Sequence, residues 1–314
     1  MSKYQLNMKY TSILSFFIFG FLMNSCQNPE VEVPAYLAVH DISLETKASE
    51  GSASEKITDV WVSLGENFYG AYELPCTIPI LEEGEFELKL RAGIKLNGIN
   101  ATRSAYSPYQ ICQATDTQGV ELDVIRLTRD SITHVNAKTQ YKETTNFKSI
   151  EGFESAGVQF ESRKDVDTSN VQISASLLKT DEDAEVFEGN YSGYVHLTKE
   201  QDYVTILSSE WIDIPQLSSG KYNYFELDYK TEVMLNVGLW FNDISATQVN
   251  EIHLNPKEEW NKNYIYIKPE RAYETTSPVF GSTQYKVFMV ASLPEDMDEA
   301  WIYLDNLKLI HENE

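Results

Sequence analysis

The sequence is poor in positive charge, in cysteine and in long apolar runs, and each shortage excludes a class of function. Its 314 residues carry 25 Lys and Arg against 48 Asp and Glu, a formal net charge of −23. Nucleic-acid binding needs a basic stripe that displaces counterions from phosphates, and electrostatic docking on anionic lipid needs a polybasic patch. Neither exists here. The sustained apolar run from Ile13 to Met23 would rise about 16 Å as a helix, against ~30 Å for a bilayer core, so it does not span a membrane. After it, no stretch keeps a helical period over three turns. The five histidines (His40, His134, His196, His253 and His311) show no metal-ligand spacing. A G-x-S-x-G elbow and a phosphate loop are both missing. What is present is core-forming material: 42% hydrophobic residues, with 19 Tyr, 14 Phe and 5 Trp. That excludes global disorder. At ~150 residues per domain, the length predicts two domains.

The N-terminus reads as an address. Lys3 and Lys9 precede the apolar run, and no acid occurs before Glu30, the layout of a secretory leader. The following Leu22-Met23-Asn24-Ser25-Cys26 resembles the lipobox of bacterial lipoproteins, with Asn24 in place of the usual small residue. The resemblance implies a signal peptide over 1–25 and acylation of Cys26 with palmitate-type chains. At ~0.8 kcal/mol per buried CH₂, two or three chains anchor a protein without a spanning helix. The alternative is an ordinary cleaved signal with an incidental Cys. Residues 26–34 bear Pro29, Glu30, Glu32 and Pro34 and read as an extended tether. The absence of Asp after Cys26 resembles lipoproteins sent to the outer membrane. Glu30 and Glu32 resemble the surface-export signals of Bacteroidota lipoproteins. The implied location is the outer membrane, lipid-anchored, at the cell surface, and an acidic coat suits such a body. In that oxidising compartment Cys76 and Cys112 form either a bridge, worth about 4 kcal/mol by loop closure, or two buried thiols.

The rest of the chain reads as all-β. Ile57–Leu64, Phe68–Leu74, Phe86–Leu90 and Val120–Leu127 are short β-rich runs punctuated by Gly65-Glu66-Asn67, Gly84 and Gly93. A first domain over 35–146 resembles the small Ig-like β-sandwich repeats of surface proteins, and a spacer is the role this implies. Its Arg103, Tyr106 and Tyr109 read either as a small-molecule clamp or as loop aromatic packing. The polar stretch from Thr139 to Lys148 marks the boundary. The second domain, 147–314, opens with Gly152-Phe153-Glu154. It continues through Tyr224–Lys230 and Val233–Phe241 and closes on Tyr303-Leu304-Asp305-Asn306-Leu307. That order resembles the galactose-binding-like jelly rolls used as carbohydrate-binding modules, whose first and last strands lie together. The resemblance implies glycan binding, and a structural calcium shared by the positions of Glu154 and Asp305. The competing reading of those two acids is hydrogen-bonded caps at strand ends. Calcium aside, no cofactor is expected.

Alternation then nominates a site. Leu235, Val237, Leu239 and Phe241 share one strand face, leaving Asn236 and Trp240 on the other. Phe225 and Leu227 point inward and leave Tyr224 outside; Ile265 and Ile267 leave Tyr264 and Tyr266 outside. If these strands are neighbours, Trp240, Asn236, Tyr264, Tyr266 and Tyr224 form one open face, with rings for the C–H side of a pyranose and amides for its hydroxyls. Glu226, Asp228 and Glu232 resemble the E-x-D-x-x-E strand motif of jelly-roll glycoside hydrolases. Here the last Glu comes one residue late, and Glu226 and Glu232 lie ~20 Å apart on an extended strand. Catalysis is therefore not expected. The reading is a surface lipoprotein binding a polysaccharide or oligosaccharide. The alternative is a structural or interaction lipoprotein that grips another envelope protein.

Overall fold

The computed structural model describes residues 33–215 and 221–312. The leader, Cys26 and the tether up to residue 32 lie outside the described residues. Among those residues, no helix is long and apolar enough to cross a membrane. The fold is all-β.

Two sheets form the first sandwich. One runs β4 (Cys76–Ile80), β1 (Ala35–Glu45), β10 (Ile132–Gln140), β7 (Gln113–Thr115) and β8 (Glu121–Leu122), with β1 and β10 parallel. The other runs β3 (Asn67–Glu73), β2 (Asp59–Leu64), β5 (Gly84–Lys95) and β6 (Arg103–Ala105), with β9 (Val124–Leu127) pairing on β5. The apolar run Val120–Leu127 is thus broken between two sheets rather than forming one strand. Cys76 lies on the edge strand β4, whereas Cys112 bridges to Leu90 of the opposite sheet, and both thiols are free. The structure thus holds the second of the two readings, a pair of unbridged thiols. Burial pushes the Cys112 thiol up to about 11.

The second sandwich distributes its strands between a front and a back sheet. The front sheet runs β13 (Leu178–Thr180), β14 (Ser192–Thr198), β22 (Glu299–Glu312), β17 (Asn223–Thr231) and β20 (Lys257–Tyr266), with β11 (Thr145–Glu151) also on β22. The back sheet runs β12 (Phe160–Ser162), β15 (Tyr203–Ser208), β21 (Gln284–Ser292), β18 (Leu235–Phe241) and β19 (Gln248–Leu254), with β16 (Ile212–Asp213) on β21. First and last strands, β11 and β22, pair antiparallel. Gly152-Phe153-Glu154 falls just past β11 rather than within it, because Phe153 adopts a positive φ of 59° that ends the strand.

The front sheet owes its register to a bulge. Ala300, Ile302 and Leu304 face the core of β22, and so do Leu307 and Leu309. Strict alternation would turn Leu307 outward. Asn306, at a left-handed φ of 49°, takes up the extra residue opposite β17 and restores the apolar face. Its amide donates to Asp228 at 3.1 Å, and its N–H to Asp305 at 2.7 Å. As a result Trp301 and Tyr303, before the bulge, and Lys308 and Ile310, after it, all lie on the outer side of the front sheet.

The first sandwich covers one half of that outer face. Tyr106, Tyr109 and Tyr141 pack against Tyr224, Tyr264 and Ile310 in one apolar cluster. Tyr106 meets the rings of Tyr264 at 4.7 Å and Tyr224 at 4.8 Å. At the centre Glu226, fully buried, accepts the hydroxyl of Tyr106 at 2.7 Å and lies 3.0 Å from the Tyr141 hydroxyl through both oxygens. Lys262 Nζ stands 3.4 Å from Glu226 and 3.6 Å from Asp228. Lys308 donates to the Ser52 carbonyl at 2.5 Å, and burial pushes its ammonium down to about 8. The joint between the sandwiches is therefore a buried charged centre inside an aromatic ring of contacts, with Lys262 Nζ held by ion pairing alone.

Candidate functional site

The uncovered half of the front sheet carries a row of aromatic rings. Trp301 and Tyr303 stand at i and i+2 on β22, so pleating puts them on one side. Their rings are within 8° of parallel, with centroids 6.3 Å apart. Tyr194 and His196 of β14 face them across the ladder, Tyr194 opposite Tyr303 and His196 opposite Trp301. His196 stacks on the indole at 3.9 Å and 1°, and its Nε2 lies 2.9 Å from Glu299. Trp260 of β20 continues the row toward Tyr303 at 6.4 Å and Phe187 at 5.2 Å.

Polar groups fix these rings. Tyr303 donates to Glu185 at 3.0 Å, and burial together with that carboxylate raises its phenol above the ordinary tyrosine range. Lys230 Nζ sits 5.4 Å from the Tyr303 ring centre. The exposed Glu232 accepts the Trp301 N–H at 2.9 Å and returns its own N–H to the Trp301 carbonyl at 3.1 Å. His196 covers one face of Trp301. Trp301, Trp260, Tyr194 and His196 are all partly exposed, whereas Tyr303 is 8% exposed and acts mainly as the floor.

The five nominated residues do not share a face. Trp240 and Asn236 lie on β18 in the back sheet, while Tyr224, Tyr264 and Tyr266 lie on β17 and β20 in the front sheet. The chain crosses between layers after β17, so alternation within each strand is right but the strands are not neighbours. Tyr224 and Tyr264 point outward from their own core and are buried against the first sandwich, at 5% and 2% exposure. Tyr266 is half-buried beside them, its N–H donating to Asn97 at 2.9 Å. Trp240 is half-buried beneath Arg163, at 5.8 Å from the guanidinium. Asn236 is occupied by His253. Arg103 pairs with Asp59 at 3.1 Å and Glu73 at 2.9 Å, away from Tyr106 and Tyr109, so no clamp forms.

The two acids nominated for calcium line one cleft, along with Glu151 and Glu188. Glu154 accepts the backbone N–H groups of Asn190 and Tyr191 and the Asn190 amide, and these hold its carboxyl below the usual range. Asp305, 1% exposed, accepts Ser192 at 2.6 Å; burial raises it to about 7. Among the described residues, no three His, Cys, Asp or Glu side chains converge on a metal position. Each of the two acids is thus hydrogen-bonded in the manner of a cap. Of the hydrolase-like acids, Glu226 and Asp228 are sealed in the joint and Glu232 alone reaches solvent.

No family model matches the chain. No curated protein matches it. Solved structures do show a likeness of β-sandwich fold. One, described as a structural basis for promiscuous specificity of carbohydrate-binding modules from the β-sandwich superfamily, is 13% identical, covering 90% of this chain and 99% of its own, with a TM-score of 0.37. A family 11 carbohydrate-binding module of a Clostridium thermocellum cellulase is 13% identical over 54% of this chain and 96% of its own, with a TM-score of 0.33. TmCBM61, solved with β-1,4-galactotriose, is 12% identical over 48% of this chain and 88% of its own, with a TM-score of 0.30.

Proposed function

We propose that the chain is a non-catalytic, glycan-binding lipoprotein, anchored through acylated Cys26 in the outer membrane and displayed at the cell surface. The second sandwich holds saccharide on the open half of its front sheet, and the first sandwich braces the other half and spaces the site from the lipid. The observation that carries this reading is the near-parallel Trp301–Tyr303 pair with Trp260 beside it. A pyranose presents an apolar C–H face that packs on such rings, and its equatorial hydroxyls reach outward to polar neighbours. Glu232, Glu299 and Lys230 border the rings and offer acceptors and a donor. No bond is broken in this scheme, since Glu226 and Asp228 are held in the joint. Affinity is modest, because a shallow face buries little ligand area.

A glycan array probed with the purified chain, followed by affinity electrophoresis on the polysaccharides that score, tests the proposal. Retardation that Trp301→Ala abolishes is the expected result. No retardation on any polysaccharide overturns glycan binding and leaves the aromatic row as a protein interface. Palmitate labelling of the full chain, expected to be lost in Cys26→Ser, tests the anchor.

A further inference from the structure

A second cleft opens where the two sandwiches meet, along β20. It holds about 640 Å³, within the ~300–1,000 Å³ range of small-molecule sites. One wall is the first-sandwich segment from Lys95 to Asn100 together with Lys56 and Glu73; the other is the β19–β20 hairpin. Its charge runs against the rest of the chain, which carries 48 acids and 25 bases. Four lysines line it against two glutamates.

The pairing is uneven in an informative way. Lys95 is held by Asp59 at 2.8 Å, and Lys262 by Glu226 and Asp228. Both acids of the wall are neutralised from outside it, Glu73 by Arg103 at 2.9 Å and Glu251 by Arg271 at 3.1 Å. That leaves Lys56 and Lys257, which have no carboxylate within 4.0 Å among the described residues. They act on each other instead: burial, and then the charge of Lys257, push the Lys56 ammonium below the ordinary lysine range.

The amides around them are turned to donate. Asn97 spends its carbonyl on the Tyr266 N–H, and Asn261 spends its carbonyl on Lys56, which leaves both NH₂ groups as donors. Asn100 and Asn255, both exposed, extend the same lining. The cleft is thus cationic and rich in donors, with Asn263 Oδ1 and Glu251 Oε1 in its lining left without a hydrogen-bond donor. The ligand that complements it carries a negative charge and many oxygen acceptors.

We propose that this cleft binds an anionic saccharide, a hexuronate whose carboxylate lies between Lys56 and Lys257 and whose ring and hydroxyl oxygens accept from Asn97 and Asn261. It is a site separate from the aromatic row, and it joins the two sandwiches through one ligand. The proposal stands on the cleft alone: it survives if the aromatic row proves to bind no neutral glycan.

The test is isothermal titration of the purified chain with trigalacturonic acid and with its methyl ester, which keeps the sugar rings and hydroxyls and removes the charge. The acid is expected to bind, more weakly as salt is raised, and the ester to bind roughly tenfold less tightly or not at all. The double variant Lys56→Gln/Lys257→Gln, at two exposed positions, is expected to lose roughly tenfold in affinity for the acid with unchanged thermal unfolding. Trp301→Ala is expected to bind the acid as the unmodified chain does. Absent binding of the acid, equal binding of acid and ester, or full affinity in the double variant each overturns the proposal. Loss of acid binding in Trp301→Ala also overturns it, by moving the uronate to the aromatic row.

Discussion

Glu226 offers the sharpest test of how the two sandwiches are held together. The perturbation is Tyr106→Phe and Tyr141→Phe, singly and combined, each of which removes one oxygen and keeps the ring packing. Tyr106 donates to the buried carboxylate at 2.7 Å, and Tyr141 lies at 3.0 Å from both of its oxygens. A hydrogen bond to a charged group contributes about 1.5–3 kcal/mol, so each single variant loses that much. The double variant leaves the carboxylate with no hydroxyl donor and with Lys262 Nζ at 3.4 Å as its nearest cation. With Lys262 alone left beside the buried carboxylate, the combined loss is at least the sum of the singles, roughly 3–6 kcal/mol. Urea denaturation at neutral pH measures it. Tyr72→Phe serves as control, since that hydroxyl donates to Tyr69 O at 2.9 Å within one strand and its loss costs about 1 kcal/mol. A double variant no less stable than the control refutes the reasoning, because the carboxylate then does not depend on the first sandwich.

Three further outcomes follow from the same geometry. His311 is 1% exposed with Nε2 2.6 Å from the Tyr285 hydroxyl, and burial pushes its imidazole down to about 3. The neutral ring contributes stability that is full above the ordinary pKa of 6.5 and lost as pH falls toward 3. The stability gap between the unmodified chain and His311→Gln therefore shifts by about 2 kcal/mol against the unmodified chain between about pH 7 and 5; a gap independent of pH contradicts this. At Gly238 an added Cβ would stand 2.4 Å from the Val249 carbonyl and 2.5 Å from the Phe288 ring, so Gly238→Ala lowers the thermal midpoint by an overpacking cost of about 1–3 kcal/mol. Iodoacetamide at mildly alkaline pH spares Cys112 in the native chain, and in denaturant without reductant it labels both Cys76 and Cys112. Mass spectrometry that finds neither labelled in denaturant means that they are bridged.

Strand interiors were readable from the residues because alternation is a local property. Leu235, Val237, Leu239 and Phe241 are all fully buried, as are Phe225, Leu227, Ile265 and Ile267. Which strands share a layer is not local. The step from β17 to β18 crosses the sandwich, and it separates Trp240 from Tyr264 although each faces outward from the common core. Facing outward does not mean facing water, either: Tyr224, Glu226 and Tyr264 meet a second domain, and nothing in their own strands signals that. Trp301 and Tyr303 carried a usable signal, two aromatics at i and i+2 in the closing strand, with Tyr303 inside the quoted motif. The Asp305-Asn306 pair that follows them is the bulge that sets the register. Glu226, whose spacing resembled a catalytic strand, is instead the polar centre of the joint.

The proposed saccharide site at Trp301 lies on the front sheet, on the opposite layer from Trp240. Titration of the best array ligand into Trp301→Ala and Trp240→Ala tests it most directly. Losing one stacking face removes about 1–1.5 kcal/mol, roughly a tenfold drop in affinity, and this is the result expected for Trp301→Ala while Trp240→Ala binds as the unmodified chain does. A loss at Trp240 with full binding by Trp301→Ala would put the sugar on the back sheet and contradict the account.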